Sequence, residues 1–578
     1  MTSVCDRRTA LTLFGGAAVA PLASRAAPGT VTIIEAKSII TMEPAQPRAR
    51  FVAIADGLIL GLADRREELD LWTRNRTIIE ERRMRGAYLM PGFIDPHIHP
   101  MQAAVMLNLP FLAPEDWDLP SGFYPGATTP DAYRQRLNAA LAQSSATPFV
   151  CWGHHELFHG PIDRKELDQI APDRPVVIWQ RSFHEIIVNS AMLRAWKLDN
   201  RPAFEAALAA AKVDPTHGDF DKGIFAENAL LIPLDKLRSV LLAPERLKSG
   251  FAALQRLLLT SGVTTTSDMG TGIFASFDVE AGLIRAAFER PDNPSRTMLM
   301  PLAHSIAKDT DPNTWLSEAV SRYSSPRVRV DARVKILVDG AFFAQSMMMN
   351  PPGYSDGHLG KWITPPDVAQ EYFNRFWNAG FSLHIHVNGD AGLDAVLGAL
   401  ATLPSRRGKQ TITLEHLGYS TEAQNREIAR MGLMVSAQPN YIRVLGDAYA
   451  SHGLGPDRAA TMNRLGSLER KSVPLGLHSD FNMAPIDPLY LAWVATNRQT
   501  LGGSIKAPAE RLSLDKALRA ITIEAAQVIG MDAMVGSIAA GKRADFAVLD
   551  QDPYQLGAQN LRRAKVQGVV FEGQYRAR

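Results

Sequence analysis

The 578-residue sequence predicts an α/β protein: a distorted (β/α)8 TIM-type barrel with an inserted subdomain, plus a composite β-sandwich from the N- and C-terminal segments. Three observations lead there. Eight short apolar segments alternate with helical patterns between residues 92 and 479. Strand-like stretches with tight-turn signals stand at both ends of the chain. Metal-competent side chains recur at the ends of the apolar segments, where parallel barrels keep their chemistry.

In chain order, residues 1–28 read as an export signal, because Arg7-Arg8 precedes the apolar run Ala10 to Ala23, which closes on Ala23-Ser24-Arg25-Ala26-Ala27. The arginine pair makes it twin-arginine-like, so the expected location is periplasmic or secreted, and cytoplasmic if the signal does not function. The run is about four residues short of the ~18 to 20 that a spanning helix needs, so no membrane integration is expected. Removing residues 1–28 takes away three arginines and one aspartate, which brings the formal charge of +2 to zero and leaves Cys151 as the sole cysteine. One thiol forms no internal disulfide.

Residues 29–90 contain VTIIEAKSIITM, RFVAIADGLILGL and TIIEERRMRGAYLMP, with Asp56-Gly57 as a hairpin signal. Residues 526–578 have the same texture in SIAAGKRADFAVLDQDP and AKVQGVVFEGQYRAR, turned at Glu572-Gly573. Chain ends commonly lie close together, so the two stretches are expected to form one composite domain. Between them, residues 91–525 carry the eight barrel candidates: 92–98, 262–268, 297–303, 332–338, 381–387, 411–416, 433–438 and 473–479. PERLKSGFAALQRLLLTSG and DVAQEYFNRFWNAG are intervening helices with apolar residues at helical spacing and a closing glycine. The first two strands are roughly 160 residues apart where a β/α unit needs ~30, which places an inserted subdomain at about 101–245.

Lysine plus arginine number 62 against 60 aspartate plus glutamate, a balance without the basic footprint of a nucleic-acid binder. A small-molecule substrate is the expected partner, and a homo-oligomer stays open. His97 and His99 end the first strand, and an i, i+2 pair on a strand shares one face, so both imidazoles can reach one ion. Lys335 on the fourth strand, His386 ending the fifth, His416 ending the sixth and Asp480 after the eighth complete six metal-competent side chains. Imidazole and carboxylate suit one or two divalent ions, zinc first and otherwise Fe, Co or Mn. Asp480 is the expected proton carrier, with Lys335 and His416 beside it. As an ammonium Lys335 would repel cations; carboxylated, it would bridge them. His384 and His478 lie two residues deeper and read as support for the ligands. His154, His155 and His159 in GHHELFHG read as substrate contacts or surface, and Phe342, Phe343, Met347 and Tyr354, after the fourth strand, as a substrate-binding apolar wall.

PGFIDPHIHP, VKILVDG, HIHVNGD, TLEHLG, SAQPN, GLHSDFNMAPIDP and VGSIAAGKRADFAVLD, in that order, resemble the amidohydrolase superfamily. More narrowly they resemble its amidohydrolase-3 subgroup, which includes N-substituted formamide deformylases. The resemblance runs from about Val31 to Tyr575. It implies one ion on His97, His99 and Asp480, a second on His386 and His416, and a carboxylated Lys335 between them. It also implies a role in the inserted region for His184 of SFHEIIVNS, read as substrate-binding, and for the segment Gly223 to Glu227. The reaction implied is hydrolysis of an amide or N-substituted formamide C–N bond in a small, apolar-substituted substrate by metal-activated water. A lactonase or cyclic-amide hydrolase on the same metal site is the alternative, and a non-catalytic secreted binding protein retaining the barrel is the second.

The export reading predicts that replacing Arg7 and Arg8 by lysine traps the precursor in the cytoplasm. An intact N-terminus on protein recovered from native cells would show that no signal operates.

Overall fold

A computed structural model describes residues 29–578, so the expected export signal lies outside the described residues. No helix among them is long and apolar enough to cross a membrane. The chain is a mixed α/β fold.

Both chain ends contribute to one eight-stranded sheet. The N-terminal part supplies Thr30–Ile40, Arg48–Ala55, Leu58–Ala63, Thr77–Glu81 and Tyr88–Pro91; the C-terminal part supplies Phe546–Leu549, Val566–Phe571 and Gln574–Ala577. The two parts join where Tyr88–Pro91 pairs antiparallel with Phe546–Leu549. The two expected hairpins have the predicted turns: Asp56 and Gly57 take φ of 51° and 72°, Glu572 and Gly573 take 52° and 78°, the left-handed pair that a two-residue hairpin demands. These turns meet, since a Cβ on Gly57 would lie 3.3 Å from the Glu572 carbonyl oxygen. Hydrogen bonds link all eight strands of this expected sandwich into one sheet. The long strand Thr30–Ile40 is its hub: its register breaks between Glu35 and Ile39, and it pairs Thr77–Glu81 along its first half and Tyr88–Pro91 along its second.

Each of the eight central apolar segments contains a strand. They form two parallel sheets, one of Phe93–Ile98, Val263–Thr271, Arg296–Pro301 and the additional short strand Val328–Val330, the other of Arg333–Leu337, Ser382–Val387, Ile412–His416, Met434–Ala437 and Leu475–Leu477. No closed barrel ladder joins the two among the described residues. At one seam a single bridge pairs Leu302 with Lys335, and at the other the Asp480 N–H donates to the His97 carbonyl at 2.9 Å. The helices Pro244–Thr260 and Pro366–Asn378 bury the apolar faces read from the sequence. They are followed by Gly262 and Gly380 in left-handed conformations.

The long stretch after the first strand holds its own five-stranded sheet, ordered Gly218–Asp219, Ile224–Ala226, Glu185–Val188, Val176–Gln180, Phe149–His154. The loop between its strands Val176–Gln180 and Glu185–Val188 reaches the mouth of the central cavity. Its anchor is the buried Arg181, which pairs with Glu115 and lies 4.0 Å over the Phe343 ring.

The terminal sheet is tied to the central strands by the buried ion pair of Arg296 with Asp545. Asp545→Ala leaves the Arg296 charge buried without its partner. The expected cost is about 3–5 kcal/mol, read as a fall in unfolding free energy by urea titration; wild-type stability in that variant would show that the pair does not tie the two parts together.

Candidate metal centre

In a parallel pair, residues in register share a face of the sheet. Lys335 is level with His384, and His386 with Glu415, so all four turn to one side. His416 is level with Val387, and strict alternation would send it to the other side. Its φ of 72°, followed by 47° at Leu417, breaks the alternation and brings His416 back beside His386, ring centres 4.5 Å apart. Asp480 uses the same device, with φ of 48° just beyond its strand.

The six expected residues then line one cavity of about 870 Å³. His97, His99 and Asp480 form a tight donor group, its ligand-capable atoms within 4.8 Å of one another. Asp480 Oδ1 is 3.2 Å from His99 Nε2 and 3.6 Å from His97 Nε2, and its Oδ2 is 3.7 Å from His416 Nδ1. A second tight group is His97, His416 and His478. His478 Nδ1 is 2.8 Å from Ser436 Oγ, which turns its Nε2 to His416 Nδ1 at 3.2 Å. His386 is in neither group, and its Nε2 lies 3.0 Å from the Asn388 amide nitrogen. Lys335 Nζ is buried in the same place with no hydrogen-bond partner among the described residues. Two imidazoles converging on a carboxylate, next to an orphaned buried amine, are the donor set a divalent cation needs.

Glu415 is the residue that sequence reasoning missed. Fully buried, it takes His97 Nδ1 at 2.8 Å on one oxygen and His384 Nδ1 at 2.7 Å on the other. His384 Nε2 in turn accepts from Arg333 at 3.0 Å. Glu415 is level with His386 on the neighbouring strand, so it shares the functional face. Asp268 was missed as well, and lies 3.7 Å from His99 Nδ1.

The electrostatics separate these groups. Burial opposes ionisation of Asp480, but the neighbouring His97 and His99 outweigh it and hold the carboxyl well below the usual range. Burial also opposes charge on His99, yet the Asp268 and Asp480 carboxylates push it up to about 9. Burial takes His386 down to about 3 and holds His97 and His416 well below the ordinary value, which leaves their rings neutral. Burial lowers Lys335 to about 8 despite Glu415 and Asp480 nearby.

The expected substrate wall is partly redrawn. Phe342, Phe343 and His184 line the cavity, and His184 Nδ1 is fixed on Glu227 at 2.9 Å. Met347 and Tyr354 do not. The Asp339 carboxylate accepts N–H groups from Met348, Asn388 and Gly389, and the loop it pins turns Met347 into the core at 0% exposure. Tyr354 is 3% exposed and stacks on His358. The GHHELFHG histidines are neither surface nor cavity residues: His154, His155 and His159 are all buried. His159 stacks on Tyr133 at 4.2 Å and its Nε2 lies 2.7 Å from the Ala127 carbonyl.

A profile described as "Amidohydrolase family" matches residues 84–577. The chain is 25% identical to the putative amidohydrolase YtcJ of Bacillus subtilis over 93% of its own length and 97% of that protein's. It is 23% identical to the N-substituted formamide deformylase of Arthrobacter pascens over 84% and 88% of the two chains. Among solved structures, an uncharacterized metal-dependent hydrolase from Pyrococcus horikoshii shares the fold with a TM-score of 0.68 at 20% identity, covering 91% of this chain and 99% of that one.

Because Glu415 orients His97, Glu415→Gln is expected to weaken metal retention about 10–100-fold, measured by competition with a chromophoric chelator. Unchanged metal affinity would remove Glu415 from the centre's support.

Proposed function

The chain belongs to the amidohydrolase family and is a metal-dependent amidohydrolase, and on that premise we propose that it cleaves the C–N bond of an amide or N-substituted formamide bearing an apolar substituent. In this reading the two parallel sheets are the halves of a (β/α)8 barrel. The observation that carries it is the convergence of His97, His99, Lys335, His386, His416 and Asp480 on one cavity whose wall includes Leu337, Phe342 and Phe343. The likeness to a formamide deformylase supports the bond type.

When bound, one or two divalent ions, zinc in the first place, supply Lewis acidity and bring the pKa of a water to about 7. His97, His99 and Asp480 would hold one. His386 and His416, with Lys335 in its carboxylated form, would hold the second, and the lowered pKa of Lys335 favours the neutral amine that adds carbon dioxide. Asp480 remains a carboxylate at neutral pH. It takes a proton from the attacking water and delivers it to the departing nitrogen. The carbonyl carbon gains the water oxygen, the C–N bond breaks, and the amine leaves neutral. His184, held by Glu227, contacts the substrate from the cavity wall.

Asp480→Asn keeps the shape and one oxygen ligand but removes the basicity. On a panel of N-formyl and N-acyl amines kcat is expected to fall by about 10² to 10⁴, with metal content by elemental analysis largely retained. Full metal occupancy with unimpaired kcat rules out the proton-carrier role. Cleavage of lactones or hydantoins with every open-chain amide untouched overturns the bond assignment.

A further inference from the structure

Beside the catalytic cavity lies a second, apolar groove of about 350 Å³. Leu231, Leu234, Leu241 and Leu242, on and just after the helix Leu231–Leu241, form one wall, and Ile273 and Phe274, after the strand Val263–Thr271, form the other. Ile273 lines both spaces, and Leu230, next in the chain to Leu231, lines the catalytic cavity. The groove and the cavity therefore share a boundary. At that boundary Leu231 is 62% exposed and Ile273 47% exposed, two large apolar side chains open to water beside the cavity.

The loop carrying Ile273 is held in place. The buried Glu280 carboxylate accepts N–H groups from Gly272 at 2.7 Å, Phe274 at 2.5 Å and Ala275 at 2.8 Å. Ile273 also stands close to the metal-competent ring. A Cβ built on Gly270 would lie 2.9 Å from Ile273 Cδ1 and 3.4 Å from His99 Cε1, so Ile273 and His99 flank the same small space. Ile273 therefore stands between His99 and the groove. Asp235 and Arg238, the charged residues of the groove, lie 3.5 Å apart and cancel each other, so a charged tail gains no net attraction there. The volume falls in the range of small-ligand sites.

Resting on the amide reading above, we infer that the substrate carries a linear, uncharged alkyl chain longer than the catalytic cavity, with its distal methylenes in this groove. Ile273 is the threshold, and Glu280 positions it.

The test uses the metal-loaded full chain and two probe series. n-Alkanols from butanol to decanol, which cannot be cleaved, report binding by calorimetry; N-alkylformamides of the same lengths report hydrolysis. Once the chain passes Ile273, each added methylene is expected to tighten Kd by up to about fourfold. Leu231→Asp, at a largely exposed position, and Leu234→Ser should flatten that gain for long chains and leave butanol unaffected. A flat chain-length series, or a gain unchanged in both variants, overturns the groove. Steep alkanol binding with no formamide cleaved sinks the formamide form of that reading and leaves the groove standing. Cleavage of short and long formamides at equal kcat/KM, with flat alkanol binding, sinks only the groove.

Discussion

The buried Glu415 carboxylate is the constraint on which the centre depends. Its two oxygens take His97 and His384, and the line continues from His384 to Arg333. His97 belongs to the four-stranded parallel sheet, whereas His384, Glu415 and Arg333 belong to the five-stranded one. Backbone hydrogen bonds between these sheets are sparse at both seams, so this side-chain line is a cross-brace between them. A carboxylate with no access to water is costly unless fully paired. Here burial is outweighed by Lys335, His384 and His97, which hold Glu415 well below the ordinary carboxylate range. Fixing both Nδ1 atoms on Glu415 also decides the exposed nitrogen: His97 is left with Nε2 towards Asp480.

The rest of the ring depends on backbone that departs from the strand. His416 and Asp480 both hold positive φ, a conformation that costs roughly 1–3 kcal/mol for a residue with a side chain and persists only where surrounding contacts over-determine it. Those contacts are present. The Asp480 N–H is bonded to the His97 carbonyl, and Asn463 donates to the carbonyls of His416 and Leu417. The departure is what lets Glu415 and its chain neighbour His416 both serve the same cavity.

This explains which parts of the centre were legible in the sequence. His97 and His99 obey plain strand alternation, and their i, i+2 spacing sufficed. The eight central strands and the two-residue turns at Asp56-Gly57 and Glu572-Gly573 were legible because local chemistry alone decides them. Glu415 was hidden because alternation, applied to a strand ending in His416, assigns it to the opposite face; only the positive φ at His416 removes the conflict. Met347 and Tyr354 failed for a different reason. Their placement is set by Asp339, a buried carboxylate that gathers N–H groups from two separate loops, and no periodicity in the chain records such a contact. The GHHELFHG histidines likewise read as substrate contacts or surface and are structural by environment. Burial takes His154 to about 4 and His159 to about 3, so neutral rings fill and stitch the inserted region.

The two sides of the catalytic cavity thus have different origins. Strand ends supply the metal-competent ring, and their positions are tied to one another through Glu415 and the seams between the sheets. The inserted region supplies Ser182, Phe183, His184 and Glu227, on a loop and just after the short strand Ile224–Ala226, whose sheet makes no backbone ladder with the central strands among the described residues. Arg181 is the joint, since it pairs with Glu115 and also donates to the Met483 carbonyl, three residues beyond Asp480. A fully buried guanidinium thus ties the inserted wall to the ring. Such a division lets the wall vary in shape and polarity without disturbing the donor geometry.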